Sequence, residues 1–563
     1  MPAALPRSIA WCIGFVLLAV VAGEVLYLLS LPLIEQVWPI PDDTFFYLRV
    51  AQQFWRSGEF SFDGRNPTYG FQPLWQLLLI AIQPLFPDPA QFFHAVQVLC
   101  CVLHGAVAYA LFRLGAGLSG WFGGVIAAAL WTANPSIMVW CWCLKENALY
   151  ALLLVLALQN LLQQLRLGAR PRAGAWLGLW LGLAIATRVN AAIAAGALLG
   201  ILLAAAGHGG GRRLRGRAVA TALGVAVVVA GPWYLYAQLH FHTALPTSGV
   251  WKMWVTRGDI ELVQHLTWLG LGHLGHAAAA LPGYLLFLLD RGYGCCEGVL
   301  IALVGAGIAA RVLGNRPAAP GAAAWVLGAG VIAALLSAYA NVLLLEVYLR
   351  FADWYAVAEF VAVPLLGGAL AGGIAARWPR PLPRLAAVVI VAVAAWLWPV
   401  PAGMPLRLQH GLLTAPPREM QLLEMGLWQA RHVPPAVRIG LWDPGTVGFF
   451  SGGQCVSFDP LMNSIDYIRR QIADPQDYVR SQEIAYMVGA GNRVGEQLLF
   501  PPLPKRPGDR ELPYEILWLP YPDHDLGWRD VRYFMLVRPR NSPVPECLSA
   551  DDFPYGVLYP DDP

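Results

Sequence analysis

Eleven apolar runs, most of them near the length that carries a helix across a bilayer, decide what this chain of 563 residues can fold into. They fall at roughly 8–32, 91–112, 121–136, 148–165, 174–187, 190–206, 218–237, 297–313, 322–345, 354–376 and 384–400. Inside hydrocarbon every backbone N–H and C=O has to be bonded within its own segment, so such runs fold as helices. Hydrophobic residues are 57% of the chain and charged ones 13%, about half the charged share of a soluble domain. The expected fold is therefore mainly α, a polytopic transmembrane bundle of about 11 crossings. A net charge of +3, with no basic tract interleaved with aromatics, excludes a nucleic-acid partner.

Arg7 and Ser8 before the apolar run 9–23 look like a cleavable signal, but apolar character resumes at Val25 and continues to Ile34. A retained signal-anchor helix follows from that, with Glu24 expected to be buried against a neighbouring helix, since facing lipid is costly for a carboxylate. Alternate loops carry arginine: Arg7; Arg113; Arg166, Arg170 and Arg172; Arg212, Arg213, Arg215 and Arg217; Arg311 and Arg316; Arg377, Arg380 and Arg384. The positive-inside rule then puts the N-terminus in the cytoplasm and everything after Pro401 outside. Two further apolar segments, 71–86 and about 262–289, would break that parity if each crossed once. The first is expected to be interfacial or re-entrant, and the second interfacial or a hairpin crossing twice.

Residues 1–403 form the expected membrane domain, with 33–90 as its first external loop, and 404–563 an extracytoplasmic α/β domain. In that tail, helix and strand patterns alternate: a helix at 419–431, a strand at 437–441, a turn from Asp443, a short element at 447–450 and a strand at 454–458. Cys455 and Cys547 are its only cysteines, and an oxidising compartment would permit them to pair.

Candidate chemistry gathers on the loops assigned to the outer side. Asp42 and Asp43 precede an amphipathic run in which Phe46, Val50 and Phe54 recur at helical spacing, as on a helix lying along the interface with those rings down. Asp42 reads as that helix's N-cap; alternatively, one carboxylate of the pair is a general base, ionised at neutral pH. Lys145 and Glu146 stand at the mouth of a helix, either as a snorkelling pair or to meet an anionic leaving group and position an acceptor. Arg188, among small apolar residues, needs a carboxylate or a phosphate. The turn at Pro246–Gly249, with Ser248 and nearby Lys252, can cup an anion or be a plain interfacial loop. Arg350, Asp353, Trp354, Tyr355 and Glu359 cluster at the start of another helix, and His240 and His242 are weak metal candidates.

These segments resemble a family. An acidic pair after the first helix, then FDG-x-NPT-x-G-F-x-PLW, resembles the first external loop of bacterial GT-C glycosyltransferases, relatives of the aminoarabinose, arabinofuranosyl and protein O-mannosyl transferases. KENALYALLL, ATRVNA, LPTSGVWK and GLWDPGTVGFF…SFDPLMNS are similar to later family segments, in the expected order. Asn190, Lys145 and Pro460 depart from the family pattern, standing for Asp, Gly and Gly.

The resemblance implies an inverting transferase in the bacterial inner membrane, moving a sugar from a polyprenyl-phosphate donor to a hydroxyl of a glycan, lipid or protein. In the family the base is usually the first acid of its pair, which favours Asp42, with Asp43 close behind. Lys145, Glu146, Arg188, Ser248, Lys252, Tyr69, Gln72, Arg350 and Tyr355 would bind substrate or phosphate. If the reaction uses a divalent cation (Mg, Mn or Ca), Asp42, Glu146 and His242 are its candidate ligands. The alternative is a transporter or flippase for a lipid-linked anion, although no pair of related halves is visible. A scaffold whose tail recruits envelope enzymes is a third reading.

Overall fold

A computed structural model describes residues 7–37, 39–205, 212–257, 278–283, 321–345, 357–377, 418–434, 437–441 and 444–473, the isolated positions 482 and 484, and the strands at 486–490, 514–518 and 534–539. Two expected crossings, 297–313 and 384–400, lie outside them, as do Arg350, Tyr355 and Cys547. Among the described residues, five helices are long and apolar enough to cross a bilayer. Four of them are α1 (Arg7–Ser30), α5 (Pro89–Ser119), α8 (Asn147–Leu167) and α11 (Arg212–His240). The fifth is α13 (Ala322–Leu345).

Between and around them run α2 (Leu33–Val37), α3 (Asp42–Ser57), α4 (Pro73–Ile82), α6 (Trp121–Thr132), α7 (Pro135–Trp142), α9 (Pro171–Thr187) and α10 (Ala191–Ala204). α12 (Thr247–Arg257) and α14 (Val357–Arg377) complete this part of the chain. The expected single crossing at 121–136 is broken in two. Asn134 accepts from the Ile137 amide as an N-cap and Pro135 takes the first helical position, so a new helix starts where the old one was to continue.

Small residues let helices close up where lipid offers no hydrophobic drive to associate. Gly174, Gly178 and Gly182 on α9 ride directly over Ala218, Ala222 and Ala226 on α11, so close that a Cβ at Gly178 would sit 2.2 Å from the Ala222 carbonyl oxygen. Glu24 on α1 is buried as its cost requires. It bonds His104 Nδ1 of α5 at 2.9 Å and accepts from Trp142 Nε1 of α7 at 3.2 Å.

The tail holds α15 (Arg418–His432), β1 (Arg438–Leu441), α16 (Gly445–Ser451), β2 (Gln454–Ser457), α17 (Ile465–Ala473), β3 (Tyr486–Ala490), β4 (Tyr514–Trp518) and β5 (Phe534–Pro539). The strands form one sheet in the order β2-β1-β3-β5-β4, parallel around β1 and antiparallel around β5. Cys455 is a buried free thiol beside Ser451 Oγ.

α3 corrects the expectation of an interfacial helix. Phe46 is buried edge-on against Phe62, Val50 is fully buried, and Phe54 is half-buried against Phe60. On another side of the helix Phe45 stacks on Phe93 of α5 and meets Phe449 and Phe450 of α16. The apolar positions are covered by the chain itself, because the tail settles on a surface that sequence periodicity assigns to lipid.

Candidate active site

The loop after α3 owes its shape to the FDG-x-NPT residues. Asp63 Oδ1 accepts from the Arg65 and Asn66 amides and from Ser61 Oγ, while Asn66 Nδ2 donates to Asp63 Oδ2. Gly64 supplies the positive φ of 80° that the turn requires. This self-bonded loop delivers Tyr69, Gly70 and Gln72 to one place. Tyr69 itself is buried, its ring against Phe241 and its hydroxyl toward the Ala244 carbonyl, and burial pushes its phenol pKa up. Burial likewise pulls the Arg49 guanidinium down to about 10, while its Nη2 holds the Gly453 carbonyl of the tail at 2.7 Å.

Asp42 is the first residue of α3, and the capping position ahead of it is Pro41, which offers no side-chain bond. The Asp42 carboxylate serves another segment. Oδ2 accepts from the Gly445 amide at 2.9 Å, and Oδ1 from the Thr446 amide and hydroxyl at 2.7 and 2.8 Å. A buried carboxylate thus meets the orphan N–H groups that open α16. Gly445 is obligatory there, since a Cβ would sit 2.1 Å from the Asp42 carbonyl oxygen.

One helical step of about 100° turns Asp43 elsewhere. Its side chain, 33% exposed, faces the amine of Lys145, only 4% exposed, at 3.7 Å. Lys145 belongs to the four-residue link between α7 and α8, whose Leu144 has a φ of 58°, a left-handed conformation uncommon outside glycine. The strain is held by Trp75 Nε1 donating to the Leu144 carbonyl at 3.0 Å and by Thr44 Oγ1 donating to the Cys143 carbonyl at 2.9 Å. Upstream, the Trp142–Glu24–His104 bonds fix the end of α7 from which the link departs.

Arg188 follows the last residue of α9 in extended backbone. It donates to Glu146 Oε1 through Nε and Nη2 at 3.1 and 2.9 Å, and to Asn147 Oδ1 at 2.8 Å, with its guanidinium 5.7 Å from the centre of the Tyr150 ring. The carboxylate alternative for this arginine is the one realised. Glu146 Oε2 remains buried with no hydrogen-bond partner among the described residues.

The PTSG segment is the first turn of α12 rather than a loop, and the Thr247 amide bonds the Tyr69 carbonyl at 2.9 Å. Ser248 and Lys252, four apart, therefore share a helical face. They line a cavity of about 50 Å3 together with Asp43, Lys145, Glu146 and Gln72, and with Phe46, Tyr47 and Gly70. Leu461 and Met462 of the tail complete the lining. At Gly70 the tail sits so near that a Cβ would be 2.0 Å from the Leu461 carbonyl oxygen.

Six predicted residues from four separate segments thus meet at one cavity, while Asp42, Tyr69 and Arg188 stand behind its walls. His242 is exposed on its own positive-φ turn and does not line the cavity, so Asp42, Glu146 and His242 are not gathered as metal ligands. Among the described residues no group of three or more His, Cys, Asp or Glu side chains is placed to hold a metal. Sequence reasoning passed over Thr44, Trp75, Asn147 and the two tail residues at the roof. Trp75, Asn147 and the tail residues lie in family-like stretches (the PLW, KENALYALLL and SFDPLMNS segments), whereas Thr44 carried no such signal.

No family sequence model matches the chain, and no curated protein sequence matches it. Solved structures do. ArnT from Cupriavidus metallidurans, bound to undecaprenyl phosphate, superposes with a TM-score of 0.56 at 13% identity, covering 94% of this chain and 99% of that one. The chain has the GT-C fold. The Archaeoglobus fulgidus oligosaccharyltransferase in its apo form superposes with a TM-score of 0.53 at 13% identity, covering 85% of this chain and 70% of that one. The archaeal oligosaccharyltransferase AglB, in complex with an inhibitory peptide and a dolichol-phosphate, gives a TM-score of 0.51 at 12% identity, with the same two coverages of 85% and 70%. With this fold and its long apolar helices, the chain is a multi-pass membrane protein.

Proposed function

We propose that this chain is an inverting glycosyltransferase that moves a sugar from a polyprenyl-phosphate donor to an acceptor hydroxyl at the outer face of a bacterial inner membrane. The observation that carries the reading is the Asp43 carboxylate, 3.7 Å from the buried Lys145 amine, at a cavity of a GT-C fold that Lys252 and Glu146 also line. Asp43 is the proposed general base. It takes the acceptor proton as the oxygen attacks the anomeric carbon and the bond to the donor phosphate breaks. Lys145 and Lys252 neutralise the departing phosphate, with Ser248 donating to one of its oxygens; preorganised positive charge of this kind lowers the barrier where charge develops. Glu146 and Gln72 take positions from which to orient the sugar or acceptor hydroxyls.

Asp42 is assigned a different role, that of holding α16 and with it the tail over the site. Arg188 pairs with Glu146 at 2.9 Å and holds it in place. Among the described residues no ligand set gathers for a metal, and the proposed step uses side chains alone.

A cavity of about 50 Å3 is far smaller than the roughly 300 Å3 a bound ligand of sugar-phosphate size occupies. Donor loading therefore requires the roof of Leu461 and Met462 to lift, so the Pro460–Met462 segment acts as a cover on the membrane domain. N-terminus inside and tail outside is the sidedness this requires.

The test is incubation of the purified full-length protein with a panel of polyprenyl-phosphate sugars while release of free lipid phosphate is followed. Turnover with one donor, lost in Asp43→Asn, supports the reading. Absence of turnover with every donor, together with protein-dependent movement of a lipid-linked anion across vesicles, would replace it with the transporter.

A further inference from the structure

About 30 Å from the candidate site, at the far end of α8, lies a second crevice of about 280 Å3. Arg113, Leu114 and Gly117 of α5 line it, with Gln159, Leu162 and Arg166 of α8 among its other walls. Both arginines are exposed, and among the described residues neither meets a carboxylate. The Arg166 guanidinium is held across the crevice by the Gly117 carbonyl, and Gln159 is held by the Ala110 carbonyl.

Charge balance at this end is one-sided. Between Asp88 and Asp259 the only acid is Glu146, at the opposite end of α8, whereas Arg113, Arg166, Arg170, Arg172, Arg212, Arg213, Arg215 and Arg217 all fall in loops or helix ends on this side. Among the described residues no carboxylate is paired with any of these arginines.

An apolar groove of about 720 Å3 lies along the same helix α5, formed by Trp11, Gly14, Leu18 and Val21 of α1 against Val102 and Tyr109 of α5. Val102, Gly105, Tyr109 and Arg113 recur at helical spacing along one side of α5, so the groove runs directly to the first arginine. A cationic pocket in line with an apolar channel matches a molecule with an anionic head and a hydrocarbon chain.

We propose that this crevice and groove bind an anionic phospholipid of the leaflet opposite the candidate active site. Its phosphate lies between Arg113 and Arg166, and one acyl chain lies between α1 and α5. The ligand binds without reacting, and the site is independent of the transferase reading.

Native mass spectrometry of the delipidated full-length protein tests this with phosphatidylglycerol, phosphatidylcholine and inorganic phosphate as probes. One tightly held phosphatidylglycerol is expected, favoured about tenfold over phosphatidylcholine. The Arg113→Gln/Arg166→Gln double variant, changed only at exposed side chains, should lose about tenfold in that adduct with an unchanged unfolding temperature. Gly14→Leu places a side chain where nothing lies within 4 Å, so it should fill the groove without a clash and weaken long-chain lipid while sparing a short-chain phosphatidylglycerol. Equal retention of both lipids, or an unchanged adduct in the double variant, overturns the proposal. Displacement of the lipid by millimolar inorganic phosphate overturns it too, by making the crevice a site for free anions.

Discussion

Asp42 and Asp43 are neighbours in sequence and in the first turn of one helix, yet they inhabit different environments. Asp42 is 5% exposed and takes hydrogen bonds from two amides and a hydroxyl; Asp43 opens on a cavity opposite an amine. A carboxylate saturated by fixed donors is a poor proton acceptor, because each of those bonds stabilises the charged form and taking a proton would break at least one. The acid with room beside it is the better base. Adjacent like charges in sequence thus divide into one bonded to the tail and one facing a cavity, and on the proposed mechanism the second is the base.

The largest test of that contrast is Asp43→Asn. Initial rates of lipid-phosphate release should fall by roughly three orders of magnitude, with donor affinity and unfolding temperature nearly unchanged. Comparable loss in Asp42→Asn, with Asp43→Asn active, would reverse the two roles.

Next in size is Arg188→Met, which leaves Glu146 as a lone buried charge and should destabilise the protein by about 3–5 kcal/mol in thermal or denaturant unfolding. Adding Glu146→Gln to it should restore part of that loss but not activity, separating the pair's structural role from the cavity's chemistry.

Asp42→Asn keeps one acceptor and loses the charge, so a loss of about 1–2 kcal/mol and faster protease cleavage of the tail are expected. Gly445→Ala should reproduce the tail loosening with both carboxylates intact, because its Cβ would collide with the Asp42 carbonyl oxygen. A tail equally resistant to protease in both variants would remove Asp42's assigned role. The smallest effect belongs to Leu144→Gly. It relieves about 1 kcal/mol of backbone strain at a φ of 58°, yet frees Lys145 and should raise the donor KM severalfold.

The sequence makes the membrane helices legible because apolar length has few other meanings, and Glu24 declares its burial by the cost of any alternative. It also shows that charges cluster near the first loop, the α7–α8 link and α12. It does not show which of two adjacent acids faces the cavity, since that depends on the phase of α3 relative to a tail some 400 residues later. For the same reason Phe46, Val50 and Phe54 look like lipid-facing residues: a period of 3.6 marks an apolar side but not what covers it. The break at Asn134 was legible in principle, as an N-cap followed by proline, but the apolar run on both sides masks it.

Gly70 and the tail's Pro460–Met462 segment touch directly, so floor and roof of the chamber are drawn from segments far apart in the chain. Asp43, Lys145 and Lys252 can then stay unchanged while the covering segment drifts. If the proposed transfer holds, such an arrangement lets acceptor preference diversify through the covering segment alone.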